Sequence, residues 1–189
     1  MDNILDKIIR GRRTVKPDRF TGAQIPDEAI WQMLNAAHWA PTHGHTEPWR
    51  FHVFKDASKE VLLQFLNTLD AKLNGENEVR AAKRKRNFLQ SSHIIAIGAR
   101  CGTNPKIPEI EDLLATAMAV QNIWLTAHNL GFGGYWSTGA LAYHQEFASF
   151  LGLNQPRDQA MGLFYLGVPV SGIPDGHRIS AIEEKVTWH

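Results

Sequence analysis

Hydrophobic residues recur every three or four positions in several stretches of the chain, which is the spacing of an amphipathic helix, and the stretch 77–90 is helical in character but mostly polar. The stretch 109–130 differs from the others, because its apolar residues cover most of the helix circumference. Such a helix is buried on several sides, in a core or in a subunit interface. The predicted helices are 2–11, the segment between Pro26 and Pro41, 58–73, 77–90, 109–130 and 144–151.

Four shorter stretches carry strand patterns. One alternates apolar and polar residues, two are continuous apolar runs typical of buried strands, and one is rich in glycine and aromatic residues. The predicted strands are 50–55, 94–99, 132–137 and 160–168. Together the elements predict a single α+β domain over 1–189, with a central sheet of four or five strands and helices on both faces. The irregular tail, 169–189, is too long to stay loose without cost, so it is expected to pack on some surface.

Composition narrows the class of protein. The 189 residues are 43% hydrophobic and 21% charged, which is typical of one globular domain. A formal net charge of +1 gives no global field that would attract nucleic acid or an anionic membrane. One cysteine, Cys101, excludes an intrachain disulfide. Without a signal-peptide pattern or an apolar run of roughly 18 residues, we expect a cytoplasmic protein that binds neither membrane nor nucleic acid.

A basic segment follows the first predicted helix. Arg12, Arg13 and Lys16 surround the hydroxyl of Thr14. A guanidinium binds phosphate through two parallel hydrogen bonds, and a threonine adds a neutral one. The segment is therefore a candidate phosphate site, and the alternative is a solvated basic turn.

The loop 39–49 combines two tryptophans with the pair His43 and His45, and two prolines and a glycine restrict its backbone. A metal site is one interpretation, but the pair supplies only two ligands where a structural zinc site needs four. A planar aromatic ligand fits better, because Trp and His offer flat faces and hydrogen-bond donors. We therefore expect no metal.

The glycine-rich stretch 131–139 follows a long helix and enters a strand, so it is not the fingerprint of a dinucleotide-binding turn. Its glycines would let a ligand approach the backbone closely, and an ordinary glycine-rich strand entry is equally compatible. The basic stretch 80–86 is interpreted as a solvated helix face. Serine and histidine residues could form a hydrolase triad, but the usual serine motif is absent. Cys101 is interpreted as a packed thiol.

Taken together, these segments resemble the nitroreductase family of FMN-dependent oxidoreductases over nearly the whole chain. Arg12-Arg13-Thr14 resembles the family's Arg-Arg-Ser motif, and Lys16 and Arg178 stand where the family has basic residues. The stretch 36–42 followed by Glu47-Pro48-Trp49 resembles its A-A-x-x-A-P-S…Q-P-W signature. The glycine-rich stretch resembles the G-F-x-x-x-W-x-[ST]-G pattern of the small members.

The resemblance implies a nitroreductase-like fold with a mixed sheet, and a homodimer that exchanges its C-terminal tails and holds FMN at its interface. Arg12, Thr14 and Arg178 would hold the FMN phosphate, with Arg13 nearby, and Lys16 would face the pyrimidine edge of the flavin. The loop would contribute Pro41, Thr42 and His43, with Trp39 reaching across from the partner chain. The residues implied to line the flavin ring are Trp136, Ser137, Thr138 and Gly139.

The implied reaction is ping-pong: NAD(P)H passes a hydride to FMN and leaves, and a nitroaromatic, quinone or similar small-molecule acceptor takes the electrons. No protein side chain is then expected to be an indispensable catalyst. Two other hypotheses remain, an FMN-binding module with no or specialised turnover and a metal-dependent hydrolase that uses His43 and His45. Glu47 replaces the family's glutamine before Pro-Trp.

Overall fold

A computed structural model describes residues 3–189 and contains all ten predicted helices and strands, with bounds close to those expected. Residue 2, at the start of the first predicted helix, lies outside the described residues. The helices are α1 (Ile4–Gly11), α2 (Asp27–His38), α3 (Ser58–Asn74), α4 (Glu78–Gln90), α5 (Glu109–Asn129) and α6 (Gln145–Phe150). The strands are β1 (Trp49–Phe54), β2 (His93–Ala99), β3 (Gly133–Ser137) and β4 (Gln159–Gly167).

The four strands form one sheet in the order β1-β2-β4-β3, and every neighbouring pair is antiparallel. The prediction of a mixed sheet is therefore wrong for the strands of a single chain. The reason is the position of β4, which lies between β2 and β3 and separates the two strands that the α5 crossover makes parallel. Within residues 3–189, parallel pairing is confined to an isolated bridge between Thr14 and Gly134.

Helices cover both faces of the sheet, as predicted. On one face α3, α4 and α6 bury residues such as Leu66, Phe88 and Phe147 against β2 and β4. On the other face α2 and α5 bury Met33 and Val120 against β2 and β4. Side chains alternate between these two cores along the central strands, because successive strand residues point to opposite faces. None of the helices in residues 3–189 is long and apolar enough to cross a membrane.

The C-terminal tail packs on its own chain only in its first part. The Val170 amide donates to the carbonyl of Arg19 at 3.0 Å, and Pro169 forms a bridge with Phe20. Beyond Gly176 the tail is exposed, and Ile179 and Trp188 keep 101% and 93% of their accessible surface. The expectation of a packed tail is thus confirmed for its beginning, while its distal apolar side chains contact little within the chain.

Asp70 of α3 connects α3 to α4. Its carboxylate accepts hydrogen bonds from Arg84 at 2.8 Å and from Arg80 at 3.1 Å, and Asn74 donates a third. Burial by itself would raise the pKa of Asp70, but these hydrogen bonds outweigh it and lower the pKa to about 2. The folded carboxylate therefore stabilises the protein above its unfolded pKa of about 3.9.

Replacing Asp70 by Asn is expected to lower the free energy of unfolding at pH 7 by about 2 kcal/mol. The wild type loses this contribution as the pH falls through the window between about 4 and 2. The free energies of unfolding of the wild type and of Asp70→Asn should therefore become similar near the acid end of this window. Urea unfolding at several pH values measures the difference. Asp18→Asn, at an exposed position, is the control. A gap that stays constant down to pH 2 would contradict the assignment.

Candidate functional site

The basic segment after α1 is fixed against α5 and β3. The Arg12 guanidinium lies over the Trp124 ring, 4.4 Å from its centroid, and the Trp124 indole N–H donates to the Arg13 carbonyl at 3.3 Å. The Val15 amide donates to Gly134 at 3.0 Å, which brings Thr14 beside the start of β3. Thr14 is an exposed residue, and so is Lys16 two residues later.

Three guanidinium groups meet at this place without a compensating carboxylate. Burial, and then the charges of Arg13 and Arg178, lower the pKa of Arg12 below its ordinary value. None of the salt bridges formed within residues 3–189 involves these three arginines. The cluster therefore repels itself, and a bound anion would relieve that repulsion. The resemblance to the family implied that Arg12 and Arg178 act at one phosphate, and that role stays a prediction.

Arg13 has a different environment from Arg12. Its Nη1 donates to the carbonyls of Arg10 at 2.5 Å and Arg12 at 2.7 Å, while its buried Nε has no protein partner. The tail crosses directly over this guanidinium at Gly176, where any Cβ atom would collide with Arg13. Arg13 thus holds the backbone of the basic segment through hydrogen bonds and contacts the tail at Gly176, two residues before Arg178.

His128 of α5 is a member of the cluster that the sequence did not reveal. Its ring packs against Gly11, and its buried Nδ1 has no hydrogen-bond partner. Burial, and then the charges of Arg12 and Arg13, lower the pKa of His128. Because 116 residues of chain separate His128 from Arg12, only the packing of α1 on α5 brings them together.

The glycine-rich strand divides its side chains between two faces. Ser137, Thr138 and Gly139 line a cavity of about 450 Å³ on the α4 side of the sheet. Ser137 lies three residues beyond Gly134, about 10 Å along β3 from the arginine cluster. Trp136 lies on the opposite face, where its indole N–H donates to the Met161 carbonyl at 2.9 Å. The cavity and the arginine cluster thus lie at opposite ends of β3.

Trp136 is accommodated there by the backbone of the neighbouring strand. Gly162 of β4 has a φ of +120°, and a Cβ atom at this position would collide with the Trp136 indole. Only glycine combines this conformation with this contact. The half-buried Trp136 therefore packs on β4, and its side chain is outside the cavity that Ser137 and Thr138 line.

The predicted ligand-binding loop is held at the other end of α5. His43 Nδ1 lies 2.5 Å from the Glu111 carboxylate, and Thr46 donates to the buried Asp112 at 2.7 Å. Thr42 is tied to Thr46 at 2.8 Å, which orders the loop next to Pro41. Trp39 is 87% exposed, so the described part of the chain, residues 3–189, covers little of its side chain.

One chain does not bring the loop and the arginine cluster together. Glu111 contacts the loop and Trp124 contacts the cluster, and they are thirteen residues apart on α5. At 1.5 Å per residue this is about 20 Å along the helix. Within one chain, the loop and the arginine cluster therefore lie far apart along the same helix.

Other candidate chemistry is not supported by the geometry. Ser92 Oγ lies 2.8 Å from His93 Nδ1, and His93 Nε2 lies 3.4 Å from Asp27, but Ser92 is fully buried and accepts the Ile25 amide. A substrate cannot reach that hydroxyl. Within residues 3–189 no group of three or more His, Cys, Asp or Glu side chains could hold a metal ion.

Cys101 is a buried free thiol. Burial, and then the nearby carboxylates of Asp112 and Glu109, raise its pKa to about 11. A thiol with so high a pKa is a poor nucleophile at neutral pH, because the thiolate is the reactive form. The interpretation of Cys101 as a packed thiol agrees with this environment.

Comparisons with known proteins agree with this architecture. A model of the nitroreductase family matches residues 9–168. The Bacillus subtilis protein named "Putative NAD(P)H nitroreductase YfhC" is 26% identical over 187 residues, which cover 98% of this chain and 94% of the relative. The crystal structure of a nitroreductase-like family protein from Bacillus cereus superposes with a TM-score of 0.86 at 25% identity, over 100% of this chain and 97% of the other.

A second solved structure has the same fold. It is the FMN complex of a "putative nitroreductase" from Desulfovibrio desulfuricans, which has a TM-score of 0.74 at 23% identity and covers 100% of this chain and 98% of its own. The family model spans most of the chain, and the α+β sandwich with its four-stranded sheet agrees with both solved structures. The protein therefore belongs to the nitroreductase family.

Proposed function

We propose that the protein is an FMN-dependent oxidoreductase that takes a hydride from NAD(P)H and reduces a small-molecule acceptor such as a nitroaromatic or a quinone. The observation that carries the proposal is the self-repelling cluster of Arg12, Arg13 and Arg178 at the start of β3. The relatives named as NAD(P)H nitroreductases and the fold neighbour solved with FMN support the same chemistry.

The residues fit this cofactor. We propose that Arg12, Thr14 and Arg178 bind its phosphate, because charge-assisted hydrogen bonds from guanidinium groups are strong. Lys16 lies next to them and would oppose negative charge at the pyrimidine edge. Ser137, Thr138 and Gly139 would line the flavin ring, and Trp136 would support their strand from the opposite face. When bound, FMN supplies hydride transfer between NAD(P)H and the acceptor.

The proposed working unit is a homodimer. Ile110, Leu114 and Met118 form a stripe along α5 that is 57%, 55% and 41% exposed. Pairing α5 with its copy about a two-fold axis would cover this stripe. An antiparallel pair of α5 helices would also place the loop end of one helix beside the cluster end of the other. Trp39, Pro41, Thr42 and His43 of the partner subunit would then complete the cofactor site.

The exposed tail supports the same assembly. A cavity of about 510 Å³ lies between α2 and the edge strand β1 and is lined by Trp31, Trp49 and Val53. The free edge of β1 can accept one more strand, and the distal tail carries exposed apolar residues that its own chain does not cover. The partner's tail would fill the cavity and add a fifth strand to the sheet. The distal apolar residues of the tail are Ile179, Ile182, Val186 and Trp188.

The purified protein is expected to be yellow, with flavin absorbance near stoichiometry that bleaches when NADH or NADPH is added without oxygen. Steady-state oxidation of NAD(P)H with a panel of nitroaromatics and quinones then measures turnover. Bleaching without turnover on any acceptor would indicate the flavin-binding module that the sequence also allows. A colourless protein that takes up no added FMN would overturn the proposal.

A further inference from the structure

The cavity beside Ser137 carries an excess of positive charge that the proposed function does not use. Arg80, Lys83, Arg84 and Asn87 of α4 occupy positions i, i+3, i+4 and i+7, which is one face of a helix, and that face is a wall of the cavity. The sequence favoured a solvated face for this basic stretch. That interpretation holds for the exposed Arg80, Lys83, Lys85 and Arg86 but is wrong for Arg84, whose side chain is only 15% exposed.

The single carboxylate that lines the cavity leaves this charge incompletely neutralised. Asp70 is shared by Arg84 at 2.8 Å and Arg80 at 3.1 Å. Arg84 is also anchored by Asn67, and Arg80 by the carbonyl of Gly75. None of the salt bridges formed within residues 3–189 includes Lys83. Its ammonium is therefore the group that remains available to a ligand.

The floor of the cavity is aromatic. Tyr135 and Tyr165 are directly opposite each other on β3 and β4, and their rings stack with centroids 6.0 Å apart. Leu66 and Leu163 complete the apolar surface, and Ser137 and Asn87 add hydrogen-bonding groups at its edge. A volume of about 450 Å³ is within the range of ligand pockets. The cavity combines a surface for a planar ring with a cationic wall.

From this combination we infer that the electron acceptor is a planar aromatic compound that carries a carboxylate or a comparable anionic group, and that Lys83 binds this group. The inference rests on the proposed function, because Ser137, Thr138 and Gly139 line both this cavity and the proposed flavin site. The ring of the acceptor lies on the tyrosine floor, and its anion points to α4. A neutral nitroaromatic of the same shape binds more weakly, because it leaves the cationic wall unpaired.

Two acceptors that differ only in charge test the inference. The affinities of the FMN-loaded protein for 4-nitrobenzoate and 4-nitrobenzamide are measured by calorimetry, and KM is measured for both with NADPH and with NADH. The benzoate is expected to bind about fivefold more tightly, which is the contribution of one partly exposed ion pair. The advantage should shrink at high ionic strength. Equal affinities in the wild type would overturn the inference.

Variants of α4 assign the effect to Lys83. Lys83→Gln is expected to abolish the preference for the benzoate, and Lys83→Glu to reverse it. Lys85→Gln removes the same charge from the same helix outside the cavity, and it should keep the preference. Thermal unfolding of each variant checks that the exposed substitutions leave the fold intact. A preference for the benzoate that survives in Lys83→Gln would contradict the role of Lys83.

Two further outcomes separate this inference from other sources of the same charge preference. If Lys83→Gln lowers the ratio of activity with NADPH over NADH but leaves the two acceptors unchanged, the wall binds the extra phosphate of the donor, and the inference is wrong. If it weakens FMN binding instead, the wall faces the cofactor, and the inference is also wrong. A protein that binds no FMN but still prefers 4-nitrobenzoate would refute the proposed function and leave the anion site standing.

Discussion

The double variant Arg12→Ala, Arg178→Ala is expected to lose its FMN during purification while keeping its fold. Each guanidinium that binds a phosphate through charge-assisted hydrogen bonds contributes about 1.5–3 kcal/mol. Losing two of them weakens FMN binding by about 10²- to 10⁴-fold. The stability of the protein without FMN should change little, because losing the contact of Arg12 with Trp124 is offset by relief of the repulsion among Arg12, Arg178 and Arg13. Fluorescence titration with FMN and thermal unfolding of the apoprotein measure the two effects.

A matched double variant, Arg10→Ala with Arg86→Ala, removes the same total charge from exposed positions outside the cluster. It should retain stoichiometric FMN, which separates a local phosphate site from a general charge effect. Stoichiometric flavin in the Arg12 and Arg178 variant would show that the phosphate lies elsewhere. A large loss of apoprotein stability would instead show that these side chains hold the tail and α1 in place.

Leu114→Glu is expected to convert the protein into a monomer and to release FMN as a consequence. Leu114 lies in the middle of the exposed stripe on α5. Two-fold symmetry places the substitution at the interface twice, so about 2 kcal/mol of apolar burial is lost on each side and two unpaired carboxylates are added. The dissociation constant of the dimer should rise at least about 10³-fold. Sedimentation and flavin content, measured over a range of protein concentration, test both effects.

Leu89→Glu serves as the control, because Leu89 of α4 is 67% exposed and lies outside the stripe. This variant should keep the oligomeric state and the flavin of the wild type. A Leu114→Glu protein that remains dimeric with full flavin would show that α5 is not the interface. A monomeric wild type with stoichiometric FMN would refute the two-chain site altogether, including the partner loop.

The secondary structure could be predicted because it depends on local pattern. The continuous apolar run of β2 and the regular stripe of α3 are each encoded within one stretch of chain. The order of the strands depends on long-range pairing, and the insertion of β4 between β2 and β3 has no local signal. The sequence therefore indicated a sheet with helices on both faces, but not that the four strands of the chain pair antiparallel.

The same distinction applies to the candidate site. Arg12 and Thr14 could be predicted as neighbours in one candidate site because cations and a hydroxyl adjacent in sequence stay adjacent in space. His128 was missed because it joins the cluster only through the packing of α1 on α5. The resemblance groups Trp136 with Ser137 around the flavin ring, and the structure places their side chains on opposite faces of the sheet, as expected for neighbouring residues of a strand.

What the sequence determined by itself is the set of helices and strands, the α+β class, and the cationic and aromatic segments that point to a bound phosphate and a flat ring. What only the tertiary structure decided is where those segments meet. It places the loop and the arginines about 20 Å apart along α5. It also makes Arg84 of α4 part of the lining of a cavity. The physical reason is that hydrophobic periodicity specifies which face of each element is buried, whereas packing between distant elements determines which polar residues become neighbours.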